Sequence, residues 1–297
     1  MNGPMKTLTI SLIILIVCGL FAFSQQPQRS DALRQIIPGH YLFTSSTYNS
    51  GVIATSEGVI VLDALNSEAV GRVERKAIED TIRQPVRVLV SSSFHNNYSK
   101  GNLAYADVWK IGHENYRADL LDLMQREKAP AEEQKSRLPN QTYRERVTLH
   151  LGGKEIQILY VGRAHTRGDS IIYVPQDRIV YLSELFFANQ FLFINDGYGL
   201  DWLKALDAVE GLAADVFVPG HGHIPVDPKE TRQELRRFRQ MLVDVRDTVQ
   251  KEIARGVTED QAVATIRWPQ YEKMQSYDAQ RETAVRRLYQ QLTGTLK

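Results

Sequence analysis

Cysteine is nearly absent from this chain, since Cys18 is the only one among 297 residues. A disulfide within the chain is therefore excluded, and so are structural zinc sites built from several thiolates. An excess of charge of either sign is also missing, because 36 Lys and Arg residues face 35 Asp and Glu residues and the formal net charge is +1. This balance gives no electrostatic reason to expect nucleic acid or an anionic membrane as a partner.

Long apolar runs are missing except near the N-terminus. Lys6 precedes an apolar stretch from Leu8 to Val17, and the small residues of Ala22-x-Ser24 follow it. This pattern predicts a secretory signal peptide over residues 1–24, cleaved after Ser24, and a secreted or periplasmic mature protein that contains no cysteine. The apolar stretch is short for a membrane span, so we expect no stable membrane insertion after cleavage. The alternative is an uncleaved signal that anchors the protein in the membrane.

Short β-rich runs separated by turn residues fill two parts of the chain, at about 41–90 and 147–182. Helical patterns accompany both parts, for example at about 67–81 and 201–209. Two β-rich halves with helices predict an α/β (α+β) domain, in which two sheets form a sandwich covered by helices. We expect the polar residues 25–36 to be irregular and the charged residues 126–143 to form a surface loop.

The last part of the chain has a helical pattern. Apolar residues recur at steps of three and four from Leu235 to Ile253, which predicts one long amphipathic helix. Two further helices are predicted after about residue 258, with a break at Trp268-Pro269. We expect residues 228–297 to form a helical extension that packs on the sandwich. The alternative is that these helices form a dimer interface.

Four loops carry polar side chains that can bind a metal, and each loop follows an apolar strand. They contain His95, His165, Glu184 and the pair His221 and His223. Loops at strand ends are where open sheets place their functional sites. A single histidine beside a strand is usually a structural residue, so the prediction of a metal site depends on the four loops taken together.

Two of these loops contain motifs that resemble the metallo-β-lactamase-fold hydrolases: His165-Thr166-Arg167-Gly168-Asp169 and Pro219-Gly220-His221-Gly222. The strand Gly58–Asp63 is similar to the first buried strand of that family. The resemblance covers about residues 37–227. It implies a four-layer αββα sandwich at 33–227, followed by the helical extension at 228–297. It also implies that Asp63 is a structural acid near the site and not a ligand.

The first metal-binding motif of the family, T-H-x-H-x-D-H-x-G-G, is altered in this chain. Ser93, Asn97 and Tyr98 stand in the places of its first histidine, its aspartate and its last histidine, and as neutral side chains they are poor zinc ligands. The resemblance therefore implies one zinc ion instead of two. The implied ligands are the retained residues His95, His165, Glu184 and His221. The alternative is a metal-free pocket in which these residues bond to one another.

The resemblance implies hydrolysis of an ester, thioester, lactone or lactam by a metal-bound hydroxide. Glu184 would be the fourth ligand or a proton acceptor. Asn97 takes the place of the usual catalytic acid, although a carboxamide cannot serve as a base, and Tyr98 could donate a hydrogen bond to an oxyanion. The alternative is a non-catalytic member of the family that binds a small molecule or a protein partner.

Three basic side chains lie in the same loops as the implied ligands. If they point inward, they predict a small anionic ligand, and otherwise they are solvated surface charges. These residues are Lys100, Arg163 and Arg167.

Overall fold

Two β-sheets face each other in the computed structural model, which describes residues 32–296. Helices cover the outer faces of both sheets, which gives the four-layer α/β sandwich that the sequence predicts. The predicted signal peptide at 1–24 lies outside the described residues. None of the helices in the described range has the length and apolar character that a membrane span requires.

The first sheet contains seven strands that lie side by side in the order of the chain. Strands β1 to β4 form an antiparallel meander, and β4 to β7 are parallel. The strands are β1 (Ala32–Ile37), β2 (His40–Ser45), β3 (Tyr48–Thr55), β4 (Gly58–Leu62), β5 (Val86–Ser91), β6 (Trp109–His113) and β7 (Gln141–Tyr143).

The second sheet contains five strands in the order β12-β11-β10-β9-β8. Strands β8 to β11 are antiparallel, and β12 joins β11 in parallel. The strands are β8 (Arg146–Leu151), β9 (Lys154–Leu159), β10 (Ile171–Val174), β11 (Ile179–Tyr181) and β12 (Val216–Val218). Apolar side chains from both sheets, such as Ile60, Val90 and Ile172, fill the space between them. Burial of this surface is the main force that holds the two sheets together.

Helices on the first sheet connect its parallel strands. They are α1 (Glu68–Ile82), α2 (Asn96–Ser99), α3 (Glu114–Arg126) and α4 (Ala131–Arg137). Helix α1 begins after Ser67, whose hydroxyl accepts a hydrogen bond from the Val70 amide at 3.2 Å. This cap satisfies an amide that the helix itself leaves unpaired, and it places the start of the helix where the sequence predicts it.

Two segments differ from the sequence expectation. Residues 126–143 are not a surface loop, because they contain α4 and β7. The guanidinium of Arg137 is fully buried there and bonds to Glu133 at 2.9 Å and Asn96 at 2.7 Å, so the end of the segment is packed into the fold, while residues 126–136 are exposed or half-buried. Residues 32–37 are not irregular either, because they pair with β2 as strand β1.

The C-terminal helices cover the outer face of the second sheet together with α5 (Gly199–Glu210). They are α6 (Thr231–Ala254), α7 (Glu259–Thr265) and α8 (Tyr277–Thr293). The apolar stripe on α6 is buried in the same hydrophobic cluster as Val180 and Phe217 of the sheet. The helical extension therefore packs on the sandwich as predicted and shares its core. A dimer interface through these helices stays a prediction.

Candidate metal centre

The four predicted loops meet at one edge of the sandwich. His95 follows β5, and His165 lies in the loop between β9 and β10. Glu184 lies in a short 3-10 turn after β11, and His221 follows β12. All four side chains line one cavity of about 550 Å³. Residues separated by more than a hundred positions are thus brought together by the arrangement of the strands, as the position of the loops predicts.

Three of these side chains form a compact group of donor atoms. His165 Nε2 lies 3.1 Å from His95 Nδ1 and 3.3 Å from Glu184 Oε1, and His95 Nδ1 lies 3.2 Å from Glu184 Oε2. Zinc bonds of about 2.0–2.2 Å in a tetrahedron separate the ligand atoms by about 3.3–3.6 Å. The donor atoms are therefore close to the spacing that a single tetrahedral ion requires, and the residues present fit a zinc ion.

His221 lies beside this group. Its Nε2 is 3.5 Å from Glu184 Oε1, and it is not part of the set of donors that lie within 4.8 Å of one another. Its ring packs edge-on against Phe187 at 4.6 Å and Tyr48 at 5.1 Å between ring centres. The implied ligand set is thus three close donors and a fourth imidazole next to the shared carboxylate.

Hydrogen bonds outside the group orient its two closest imidazoles. His165 Nδ1 donates to the Phe193 carbonyl at 2.9 Å, so its Nε2 can direct a lone pair toward the other donors. His95 Nε2 donates to Asp196 Oδ2 at 2.8 Å. A histidine ligand usually has such a carbonyl or carboxylate partner on its other nitrogen, which fixes the ring and its tautomer. Sequence reasoning missed Asp196, since it lies in a long loop outside every recognised motif.

The electrostatics of the group keep Glu184 ionised. Burial alone would raise the pKa of Glu184, but the imidazoles of His165 and His95 outweigh it and hold that pKa well below its usual range. Burial likewise opposes the charged form of His95, but Glu184 and Asp196 together raise its pKa to about 10. Burial lowers the pKa of His221. The centre therefore presents a carboxylate that needs a positive partner, which is either a proton on His95 or a metal ion.

Asp63 positions the loops and is not among the close donors. Its carboxylate accepts hydrogen bonds from the Ser92 amide at 2.8 Å and from the Ser183 hydroxyl at 2.5 Å. It thereby joins the loop that precedes His95 to the turn that carries Glu184. Burial raises the pKa of Asp63 to about 7. Gly220 packs against the same turn, where a Cβ atom would lie 2.3 Å from the Ser183 carbonyl, so only glycine fits there.

The replaced positions of the first motif have different surroundings. Asn97 lines the cavity, and its Nδ2 is 3.5 Å from Glu184 Oε1. Tyr98 is fully buried, and its hydroxyl donates a hydrogen bond to the Gly220 carbonyl. This contact uses the hydroxyl proton, and the Tyr98 ring packs 5.5 Å from the His221 ring between ring centres, so a catalytic role of Tyr98 stays a prediction. Ser93 is buried, with its hydroxyl 3.3 Å from His95 Nδ1.

The three basic side chains of the predicted loops do not line the cavity. Lys100, Arg163 and Arg167 are not among the described residues that line the cavity. Arg163 pairs with Asp201 at 2.6 Å, and Arg167 pairs with Asp119 in a neighbouring surface depression. Nearby carboxylates neutralise both guanidinium groups, so neither turns inward.

The rest of the cavity wall is mostly neutral. Two of its residues, Gln275 and Ser276, come from the C-terminal extension, and sequence reasoning did not connect that segment with the site. The wall also contains apolar and carboxamide side chains, namely Phe94, Leu123, Phe193, Asn96, Gln190 and Asn195. The cavity is therefore large enough for a small molecule and offers it both apolar and hydrogen-bonding contacts.

Residues 45–221 match the family described as the metallo-beta-lactamase superfamily. This match covers more than half of the chain, and the fold and the position of the donor cluster agree with it. The chain therefore belongs to the metallo-β-lactamase superfamily.

Three curated relatives carry different names. The chain is 23% identical over 186 residues to the 2,4-dinitroanisole O-demethylase subunit alpha of Nocardioides sp. (strain JS1661). The aligned region covers 61% of this chain and 54% of the relative. It is 24% identical over 168 residues to the linear primary-alkylsulfatase of Pseudomonas sp. (strain ATCC 19151), which covers 52% of this chain and 31% of the relative. It is 22% identical over 180 residues to the metallo-beta-lactamase type 2 of Bacteroides fragilis, which covers 59% of this chain and 68% of the relative. The chain thus spans about half of the first relative and about a third of the second.

Solved structures show the same fold. A metallo-beta-lactamase from Pontibacter korlensis superposes with a TM-score of 0.60 at 19% identity, over 71% of this chain and 99% of that one. The inverting sec-alkylsulfatase Pisa1 from Pseudomonas sp. superposes with a TM-score of 0.71 at 16% identity, over 90% of this chain and 51% of that one. At these identities the likeness concerns the fold alone.

Proposed function

We propose that this protein is a metallo-hydrolase with a single zinc ion, held by His95, His165 and Glu184. The fourth position of the tetrahedron is open to water, and His221 lies beside Glu184. The observation that carries the proposal is the spacing of 3.1–3.3 Å between the three close donor pairs. These donors lie at the wall of a cavity that a small molecule can enter.

A single ion fits the residues better than a pair. Two metal ions in one site lie about 3.5–4 Å apart and need a full ligand set each. Asn97 and Tyr98 offer neither a carboxylate nor an imidazole, and the Tyr98 hydroxyl is bonded to Gly220. Glu184 is the only carboxylate in the donor group found among residues 32–296.

The residues around the ion have distinct roles in this proposal. A bound zinc ion would activate water as a nucleophile near neutral pH. Glu184 can accept a proton through the oxygen that does not bind the ion, and Asp196 holds the His95 ring through Nε2. Asn97 can donate a hydrogen bond to a substrate oxygen, but it cannot accept a proton as a base.

The bond that we propose this protein hydrolyses is that of an ester, thioester, lactone or lactam. The names of the three relatives point to an aryl methyl ether, an alkyl sulfate and a β-lactam, so they indicate no common substrate. What they support is a hydrolase-like reaction class, which the metal donors in this chain also favour.

We expect the zinc-loaded protein to hydrolyse at least one member of a chromogenic panel that contains an ester, a thioester, a lactone and a cephalosporin. Chelation should abolish the turnover, and added zinc should restore it. Glu184→Gln should lower kcat by about a hundredfold or more, because it removes both a ligand and a proton acceptor. Steady-state assays with Glu132→Gln, an exposed residue of α4, provide the matched control.

A non-catalytic binding protein is the second candidate function. It is favoured by Tyr98, a replaced motif position whose side chain is built into the core. Zinc bound at one equivalent without turnover on any member of the panel would favour this candidate over the hydrolase.

Location and partners are part of the proposal. Lys6, the apolar stretch after it and Ala22-x-Ser24 support export to the periplasm or the exterior. The cavity supports a small-molecule ligand, and the near-neutral charge balance gives no support for nucleic acid.

A further inference from the structure

Gln190 lies in the cavity wall, and the nitrogen of its buried carboxamide has no hydrogen-bond partner in the described part of the chain. Its side chain is only 8% exposed, and its Nε2 has no partner among the described residues. A buried amide donor that is left unpaired lowers the stability of a protein. Water or a ligand can supply the missing partner, and Gln190 is one of the residues that line the cavity beside the donor cluster.

The backbone on both sides of this wall is held in disfavoured conformations. Gln190 and Gln275 form an isolated parallel bridge, and the Phe191 amide donates to the Gln275 carbonyl at 2.9 Å. Asn189, just before Gln190, has φ of 56°, and Ser276, just after Gln275, has φ of 68°. Few residues with a side chain adopt the left-handed region, and Asn tolerates it best. The C-terminal extension thus fixes the position of Gln190 from outside the family domain.

The charges that line the cavity are already paired. His95 bonds to Glu184 and Asp196, and Arg126 pairs with Asp122 at 3.1 Å. In the metal-free protein the His95 ring is therefore engaged by two carboxylates, and the Arg126 pair is exposed on both sides, away from the buried Gln190 side chain. The unpaired Gln190 donor is neutral, and a neutral oxygen acceptor satisfies it without a further charge.

An apolar surface lies in the same cavity. Phe94, Leu123 and Phe193 contribute to it, and Phe193 is 40% exposed although it is a large apolar side chain. A ligand with an apolar chain would cover this surface and remove it from water, which favours binding. The cavity thus combines an apolar contact with one unsatisfied neutral donor.

We propose that Gln190, Gln275 and Ser276 form a subsite for an uncharged carbonyl group, which belongs to an amide or an ester of the ligand. This carbonyl oxygen accepts a hydrogen bond from Gln190, and the ligand's apolar chain contacts Phe193. The subsite recognises a part of the ligand that is not cleaved. This inference rests on the proposed function in that the cavity beside the donor cluster is the ligand site.

The test compares two probes of similar length, N-hexylacetamide and octanoate, which differ in the neutral or charged character of their oxygen acceptor. Their dissociation constants are measured by ligand-detected NMR on protein from which metal has been removed by chelation, because a bound zinc ion would itself bind the carboxylate of octanoate. We expect the wild type to bind the amide more tightly than octanoate. Gln190→Met keeps the volume of the side chain and removes its polar atoms, so it should weaken amide binding about three- to tenfold and leave octanoate unchanged.

Gln35→Met, an exposed position on β1, is the matched control and should leave both dissociation constants unchanged. The melting temperature separates a binding role from a structural one. If the Gln190 donor is unpaired in the free protein, Gln190→Met should melt at the wild-type temperature or above. A lower melting temperature with an equal loss of affinity for both probes would overturn the proposal. Tighter binding of octanoate, or no binding of either probe, would overturn it as well.

The same measurement on His165→Ala separates this inference from the proposed function. The subsite does not require zinc, so the amide should still bind to that variant. Absence of turnover by the zinc-loaded wild type together with intact, Gln190-dependent amide binding would contradict the hydrolase and support the subsite. Turnover together with amide binding that ignores Gln190→Met would support the hydrolase and contradict the subsite.

Discussion

His165→Ala is expected to lower the affinity for zinc by more than about a hundredfold. Loss of a residue that only orients a ligand typically weakens metal binding by about 10–100-fold, and loss of the ligand itself should exceed that. His165 Nε2 lies close to both other donors, at 3.1 Å from His95 Nδ1 and 3.3 Å from Glu184 Oε1. A competition titration against a chromogenic chelator measures the change.

His150→Ala is the control for that variant, because His150 is an exposed histidine on β8. It should bind zinc with the affinity of the wild type. Wild-type affinity in both variants would mean that zinc binds elsewhere on the protein. Loss of binding in both would point to an effect of unfolding, which circular dichroism of the two variants would reveal.

Arg137→Met is expected to lower the free energy of unfolding by about 2–4 kcal/mol, because it removes several charged hydrogen bonds inside the protein. The buried guanidinium bonds to Asn96 at 2.7 Å, Ser99 at 2.8 Å and Glu133 at 2.9 Å. Two of these partners lie in α2, directly after His95. The variant should therefore also bind zinc more weakly, since the loop that carries His95 loses its anchor. Urea denaturation measures the change in stability.

Glu133→Gln tests whether the loss of stability in Arg137→Met comes from the bonds to Asn96 and Ser99 or from the ion pair with Glu133. Glu133 is partly exposed, with a side chain 28% accessible, while the guanidinium it pairs with is fully buried. Gln at this position keeps an oxygen that can accept the Arg137 hydrogen bond, and Asn96 and Ser99 still bond to the guanidinium. We expect its loss to be small beside that of Arg137→Met. Wild-type stability of Arg137→Met would show that α4 does not anchor the site.

The place where the candidate donor side chains meet could be predicted from the sequence because it depends on strand ends. His165 and His221 lie in motifs that follow buried strands, and the sandwich brings such loops to one edge. Asp196 could not be predicted, since its contact with His95 joins residues 101 positions apart through a loop that has no motif.

The direction of a side chain was harder to predict than its place in the chain. Arg167 lies in the predicted loop, but Asp119 on α3 holds its guanidinium away from the cavity. Tyr98 lies in the first motif, but the Gly220 carbonyl holds its hydroxyl in the core. Each outcome depends on a partner from a distant element, and a pattern within one loop contains no information about that partner.

The helical extension shows the same limit. Its apolar stripe predicted a helix that packs, and α6 does so along its whole length. The contribution of Gln275 to the cavity depends on where the segment after Trp268 meets the loop at Gln190. That contact is made by backbone atoms, which any sequence can provide, so no residue type indicates it.

The central claim is that one metal ion is bound by His95, His165 and Glu184. The most direct test is an anomalous difference map at the zinc absorption edge, from crystals of protein mixed with one equivalent of zinc. The account predicts a single peak about 2.0–2.2 Å from His95 Nδ1, His165 Nε2 and an oxygen of Glu184. Two peaks about 3.5–4 Å apart, a peak at another place, or no peak at this cluster would contradict it.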